Sequence, residues 1–251
     1  MRFGSLFAGI GGFDLGLERA GMECVWQVEI DDYCNKVLAK HWPEVKRYRD
    51  VREVGKENLE PVELICGGFP CQDVSLAGKR KGLKGKRSTL WSEFYRVVCE
   101  IRPRWIAIEN VPGLYSSDDG RFFTKILREL AEGGYDAEWT MLPAAAFGAL
   151  HIRQRVLIVA YPKGVYGDVI PSSFCPKIPH TQLWGKQPRG SLDDFSLSGE
   201  PEPRWTVYES GMGGVDSRIP NRVDRLRALG NAVVPQVAEW IGRQIVAVES
   251  L

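Results

Sequence analysis

The residues with the greatest chemical potential gather around one cysteine. Gly67-Gly68-Phe69-Pro70-Cys71-Gln72 follows the apolar run from Val62 to Cys66. A cysteine after a strand and a Gly-Gly turn stands at the edge of a sheet, where its thiol can act as a nucleophile. A free thiol has a pKa of about 8.5, so only a few per cent is thiolate near neutral pH. It therefore needs electrostatic help, or a substrate that gains a proton as the bond forms. A lone cysteine is more commonly a small buried hydrophobe, but Pro70 before it and Gln72 after it make a core position less natural.

Four further groups have suitable types and positions. Glu109-Asn110-Val111 closes the apolar run from Trp105 to Ile108. A carboxylic acid there can exchange a proton with a ring nitrogen, or it can be a helix cap or a surface acid. Arg153 and Arg155 precede the run Val156 to Tyr161. Alternate residues of an extended segment point the same way, so both guanidinium groups are expected to face one pocket. Phe7-Ala8-Gly9-Ile10-Gly11-Gly12 follows the first strand and opens the first helix. Its glycines let a ligand approach the backbone, although a tight strand–helix turn alone explains them equally well. Glu29 ends the second strand, where an acid suits the two hydroxyls of a ribose. Together these two features suggest an adenosine-containing cofactor.

These groups need a scaffold, and the pattern supplies one. Strands are expected at Phe3 to Phe7, Cys24 to Val28, Val62 to Cys66, Trp105 to Ile108 and Val156 to Tyr161. Helices are expected at Phe13 to Ala20, from Asp31 or Asp32 through Ala39, at Arg121 to Ala131 and at Gln236 to Val248. Repeated strand–helix units predict an α/β fold with a doubly wound, mostly parallel sheet. Chemistry in such sheets gathers beyond the carboxyl ends of the strands, where the acidic and glycine-rich residues fall. Seven of the fifteen prolines lie between Pro162 and Pro203, which marks an irregular small domain or a long insertion there. Regular pattern resumes from Val223, and the last helix is expected to return to the first domain.

Bulk properties exclude several classes. No apolar run approaches the roughly 20 residues that a membrane helix needs, and the start of the chain has no signal-peptide layout. A cytoplasmic protein with no membrane partner is the expectation. The six cysteines form no C-x-x-C pair, and the three histidines are scattered, so reduced thiols and no metal site are expected. Net charge is only +1, yet six of the nine residues from Lys79 to Arg87 are Lys or Arg. Such a loop can bind phosphate on a nearly neutral protein, or be a solvated surface loop.

The ordered set resembles the DNA (cytosine-5)-methyltransferases of bacterial and phage type. It comprises Phe7-Ala8-Gly9-Ile10-Gly11-Gly12, Glu29, Asp50-Val51, Gly68-Phe69-Pro70-Cys71-Gln72, Glu109-Asn110-Val111, Arg153-x-Arg155 and Gly230-Asn231-Ala232-Val233-Val234-Pro235. The resemblance implies a Rossmann-like S-adenosylmethionine-dependent fold, with residues 1–162 and 222–251 catalytic and 163–221 a short target-recognition domain. It implies that Phe7 packs on adenine, Glu29 holds the ribose hydroxyls and Asp50 binds the adenine amino group, with Ile30 and Val51 beside them in the cofactor site. Gly9, Gly11, Pro70, Asn231 and Ala232 complete the cofactor site, whose product is S-adenosylhomocysteine. Cys71 would attack carbon 6 of a flipped cytosine, Glu109 would protonate ring nitrogen 3, and Arg153 and Arg155 would support the base. Ser75, Lys79, Arg80, Lys81 and Arg87 match a catalytic loop that closes over double-stranded DNA. A monomer and a cognate restriction endonuclease in a restriction-modification system are the implied context.

Two features depart from the family pattern. His151 stands where many members carry Gln, and the recognition region is short, which suggests a short target, weak discrimination or dependence on a partner. Within it Trp184, Trp205 and Tyr208 are candidates for a small core, and Arg189, Arg204, Arg218 and Arg222 for DNA contact. Three alternatives stand beside the main expectation: the same chemistry on tRNA, a DNA-binding relative without turnover, and an S-adenosylmethionine enzyme with a small substrate.

Overall fold

Three strands are buried almost end to end, and they fix the centre of the molecule. A computed structural model of the chain describes residues 1–70, 87–148, 152–166 and 222–250. Strands β1 (Arg2–Leu6), β4 (Leu64–Gly67) and β5 (Trp105–Asn110) are covered on both faces. Residues two apart share a face. Phe3, Leu64, Cys66, Trp105 and Ala107 accordingly point to one core, and Leu6, Ile65, Ile106 and Ile108 to the other.

The flanking strands are β2 (Glu23–Val28), β3 (Lys46–Tyr48), β6 (Tyr135–Pro143) and β7 (Gln154–Pro162). The seven-stranded order is β3-β2-β1-β4-β5-β7-β6. Neighbours from β3 to β5 are parallel, while β7 runs antiparallel to both β5 and β6. That reversal matters for the site. Asn110 pairs with Val156 and Glu109 with Leu157, so the beginning of β7 lies beside the end of β5.

Seven α-helices are described. They are α1 (Gly12–Arg19), α2 (Asp32–His41), α3 (Arg87–Ile101), α4 (Gly113–Ser116), α5 (Arg121–Glu132), α6 (Arg222–Asn231) and α7 (Pro235–Glu249). Asp31 rather than Asp32 caps α2, accepting from the Cys34 amide at 2.9 Å. Helices α3 and α5 cover one face with Trp91, Phe94, Val97, Phe122, Ile126 and Leu130. Helices α1 and α7 cover the other with Phe13, Leu17, Val237, Ile241 and Ile245. The expected doubly wound, mostly parallel α/β fold is the fold observed. Helices α3, α4 and α6 and strands β3 and β6 add to the elements expected from sequence. No helix among the described residues is long and apolar enough to cross a membrane.

Helices α1 and α7 approach so closely that only glycine fits. A Cβ on Gly16 would lie 2.3 Å from the Pro235 carbonyl oxygen and 2.5 Å from the Ala238 Cβ. One on Gly12 would lie 2.2 Å from the Val233 oxygen. Alanine normally favours a helix over glycine by about 1 kcal/mol. Gly16→Ala is expected to reverse that sign and destabilise by about 1–3 kcal/mol through forced separation of the two helices. Chemical denaturation read by circular dichroism checks it, and an unchanged or higher stability would contradict the packing.

Candidate active site

The carboxyl ends of β1, β2, β4 and β5 surround a cavity of about 500 Å³. A volume of that size suits a small-molecule site. Its wall includes Phe7, Gly9, Glu29, Ile30, Phe69, Pro70, Glu109, Asn110, Arg155 and Asn231.

The turn after β1 is strained in a defined way. Phe7 and Gly9 have φ of 53° and 58°, and Gly11 has φ of 85°. The Gly11 amide donates to Ala8, and the Ala8 amide to Val28. A Cβ on Gly9 would meet nothing within 4 Å, whereas one on Gly11 would lie 2.4 Å from the Trp42 ring. Gly9 therefore keeps a backbone surface open to the cavity, while Gly11 makes room for Trp42.

Glu29 is clamped by two loops. Its Oε2 accepts from the Gly9 amide at 2.7 Å and its Oε1 from the Asp31 amide at 2.8 Å. Each carboxylate oxygen keeps further acceptor capacity for a hydroxyl. Ile30 beside it is 61% exposed, a large apolar side chain on the cavity wall. The hydrogen bond from the Cys34 amide holds the Asp31 carboxyl below the usual carboxylate range.

Glu109 is buried at the end of β5. Its Oε1 lies 2.9 Å from Arg155 Nε, an ion-pair distance whose alignment falls short of a hydrogen bond. Burial pushes the carboxyl up to about 7, against the opposing pull of Arg155 and Arg153. The carboxyl is thus poised near neutrality, as a proton donor or acceptor requires. The segment leading to Cys71 runs alongside it. A Cβ on Gly68 would lie 3.1 Å from Glu109 Oε2, and Asn110 Nδ2 donates to the Phe69 carbonyl at 3.1 Å. Phe69 is itself locked among Trp91, Phe94 and Phe122.

Some expected residues stand elsewhere. Arg155 lines the cavity, but Arg153 does not share its direction. Arg153 has φ of 29° and precedes the strand, so the alternation rule fails there, and its guanidinium donates to carbonyls between Leu229 and Ala232. Asp50 lies away from the cavity wall. Its carboxylate accepts from Arg52 Nε at 2.9 Å, and that hydrogen-bonded arginine lowers it to about 2. Val51 is buried in the core, and its carbonyl accepts from Arg96. Asn231 lines the cavity, and the Ala232 carbonyl faces Arg153.

Cys71, Ser75, Lys79, Arg80, Lys81, His151 and all the candidates between Trp184 and Arg218 lie outside the described residues, as do the side chains of Arg87 and Arg222. Among the described cysteines, burial raises the thiols of Cys24 and Cys66 and pushes Cys34, on the cavity wall, up to about 12. None of these three is a ready thiolate. Sequence reasoning missed Asn110 as an anchor and Asp224 and Arg227 as wall residues. Their spacing of three on α6, just before Gly230-Asn231, puts both on one helix face and was a usable signal.

The sequence model of one family, described as C-5 cytosine-specific DNA methylase, matches residues 1–191. The chain belongs to this family. Methylases of this family draw on S-adenosylmethionine. Among relatives, the Type II methyltransferase M2.BsuMI of Bacillus subtilis is 29% identical over 98% of this chain and 75% of its own length. The Type II methyltransferase M.FnuDI of Fusobacterium nucleatum is 35% identical over 89% of this chain and 60% of its own. A solved Escherichia coli prophage protein, described as a DNA modification methyltransferase, superposes with a TM-score of 0.56 at 30% identity. That match covers 65% of this chain and 47% of the prophage protein. The chain is thus shorter than these relatives, spanning between about half and three quarters of their length.

Proposed function

We propose that this chain transfers a methyl group from S-adenosylmethionine to carbon 5 of a cytosine in a short sequence of double-stranded DNA. The observation that carries the reading is Glu109, buried, poised near pH 7 and packed against the segment that delivers Cys71.

The cavity fits the cofactor. Glu29 offers carboxylate oxygens already oriented by two amides, Gly9 offers open backbone, and Phe7 and Ile30 offer apolar surface for adenine. When bound, S-adenosylmethionine supplies an electrophilic methyl on a sulfonium. Asn231 and Gly230 border the part of the cavity where the methionine portion would lie.

The chain's own residues must make carbon 5 of cytosine a nucleophile, because the aromatic ring is electron-poor there. Cys71 adds to carbon 6 and breaks the aromaticity, leaving electron density at carbon 5. Glu109 gives its proton to nitrogen 3, so no negative charge builds on the ring. Arg155 then stands 2.9 Å from the carboxylate it must neutralise. After transfer, the carbon-5 proton passes to solvent, the carbon–sulfur bond breaks to release the Cys71 thiolate, and nitrogen 3 returns its proton to Glu109. The ring is shielded inside a duplex, so the cytosine must be flipped out at a cost on the order of a few kcal/mol. Phosphate contacts from the basic loop holding Lys79, Arg80 and Lys81 offset that cost. Residues 1–162 and 222–251 form the catalytic unit, and 163–221 read the target. The enzyme acts as a monomer, with a restriction endonuclease as its genetic companion.

The test is methylation of unmodified plasmid DNA with S-adenosylmethionine, read by bisulfite sequencing, beside a tRNA arm. Protected cytosines in one shared context are the expected result. Methyl incorporation into tRNA alone would move the substrate to RNA, and none into either would overturn the reading.

A further inference from the structure

We propose that Arg153 is a positioning residue that clamps the cofactor-side wall of the cavity to the base-side wall. The inference rests on the cavity being the S-adenosylmethionine site.

The first observation is where the guanidinium goes. It donates to the Leu229 carbonyl at 3.3 Å, the Gly230 carbonyl at 2.8 Å and the Ala232 carbonyl at 2.5 Å. These carbonyls close α6 and lead into α7. The last carbonyls of a helix have no donor within it, and they carry the negative end of its dipole. A planar cation with several donors matches that need, and a lysine cannot reproduce the fork.

The second observation is the backbone. A φ of 29° is rare for a residue with a side chain and persists only when the surroundings impose it. The Ala144 amide supplies part of that constraint, donating to the Ile152 carbonyl at 2.8 Å and the Arg153 carbonyl at 3.2 Å. The bend sends the Arg153 side chain to the α6–α7 junction. Two residues later Arg155 is in the strand and beside Glu109.

The third observation is that the two helices at the junction are held unequally. Helix α7 is pinned to α1 by the close contacts at Gly16 and Gly242, and Gly12 meets the Val233 carbonyl just before α7 begins. Helix α6 presents Val223, Leu226 and Leu229 as exposed apolar residues. Packing thus fixes α7 far better than α6, while Gly230 and Asn231 at the end of α6 line the cavity. Arg153 joins that end to the start of β7, which also carries Arg155. Arg153 thereby ties the cofactor wall at Leu229–Ala232 to the strand that carries the Glu109–Arg155 pair.

The discriminating variants are Arg153→Lys and Arg153→Ala, with Arg155→Ala as contrast. Arg153→Lys keeps a positive charge near Glu109 and removes the fork. Calorimetric titration of the full chain with S-adenosylhomocysteine, without DNA, is expected to show both Arg153 variants binding at least about 10-fold more weakly than wild type. Arg155→Ala is expected to bind within about 2-fold and to lose kcat instead. In steady state Arg153→Lys should raise KM for S-adenosylmethionine while kcat at saturation stays close to wild type, a split that general loss of folding does not produce. If Arg153→Ala melts below the assay temperature, Arg153→Lys alone decides. Wild-type affinity in Arg153→Lys together with a lost kcat would overturn the proposal and return Arg153 to the base. Failure of the wild-type chain itself to bind S-adenosylhomocysteine would overturn the underlying cofactor reading, and it shows without any variant.

Discussion

Cys71→Ser is expected to lower methyl transfer by at least about 10³-fold while leaving S-adenosylhomocysteine affinity within about 2-fold of wild type. A serine hydroxyl is a far weaker nucleophile than a thiolate, and no other described cysteine can stand in. Cys24, Cys34 and Cys66 are held as thiols by burial, and Cys99 is an exposed residue of α3, away from the cavity wall. In the proposed site the cofactor rests on Phe7, Gly9 and Glu29 at the ends of β1 and β2, which the substitution does not touch. Single-turnover transfer from labelled cofactor measures the first effect and calorimetry the second. DNA carrying 5-fluorocytosine at the target gives an independent view. Its carbon 5 has no proton to lose, so the wild-type chain should be trapped as a covalent adduct and Cys71→Ser should not. A serine variant with near-native rate, or an active wild-type preparation that forms no adduct, would remove Cys71 from the role.

The second large effect lies in pH. In the proposed mechanism Glu109 must carry a proton to give one to the base, and burial, outweighing the two arginines, pushes its carboxyl up to about 7. The kcat/KM for DNA is therefore expected to fall as pH rises through about 7, since this ratio reports groups of the free enzyme. Glu109→Gln should lower kcat by about 10²–10⁴-fold and erase that descending limb. A wild-type rate that climbs steadily to pH 8.5 would contradict the assignment. Linkage adds a readout that needs no substrate. The folded-state pKa is raised above the ordinary value of 4.5, so the folded protein binds more protons than the unfolded chain between about 4.5 and 7. The stability contribution is fully present below 4.5 and is lost as pH rises through about 7. The melting temperature of Glu109→Gln relative to wild type should therefore climb from pH 5 to pH 8.

Much of the site was legible in the sequence because its residues follow strongly apolar strands. Glu109-Asn110 ends β5, Glu29 follows β2, and the glycine turn follows β1, each where an α/β sheet gathers its chemistry. The direction of β7 was not legible, since an apolar run looks alike either way along the chain. Strand β6 was obscured because Trp139 and Met141 sit exposed among its residues. Helix α3 carries Leu90, Trp91, Phe94, Val97, Val98 and Ile101 at helical spacing, so its signal was present between two motif stretches. Arg153 illustrates a deeper limit. Two arginines one residue apart read as neighbours on one face, and the positive φ that separates them has no residue signature when the residue is not glycine. Asp50 is similar, because a partner two residues away, Arg52, takes the carboxylate.

The glycine contact between α1 and α7 also sets an order of events during synthesis. The sheet face carrying Phe3, Leu64 and Trp105 is closed by Val237, Ile241 and Ile245, which leave the ribosome long after the strands they cover. Until α7 arrives, α1 alone covers that apolar face, and Gly230 and Asn231 have no fixed place beside Glu29. A nascent chain can display every earlier motif and still lack a completed cofactor cavity. Cofactor binding by the proposed site is therefore expected only once α7 has docked.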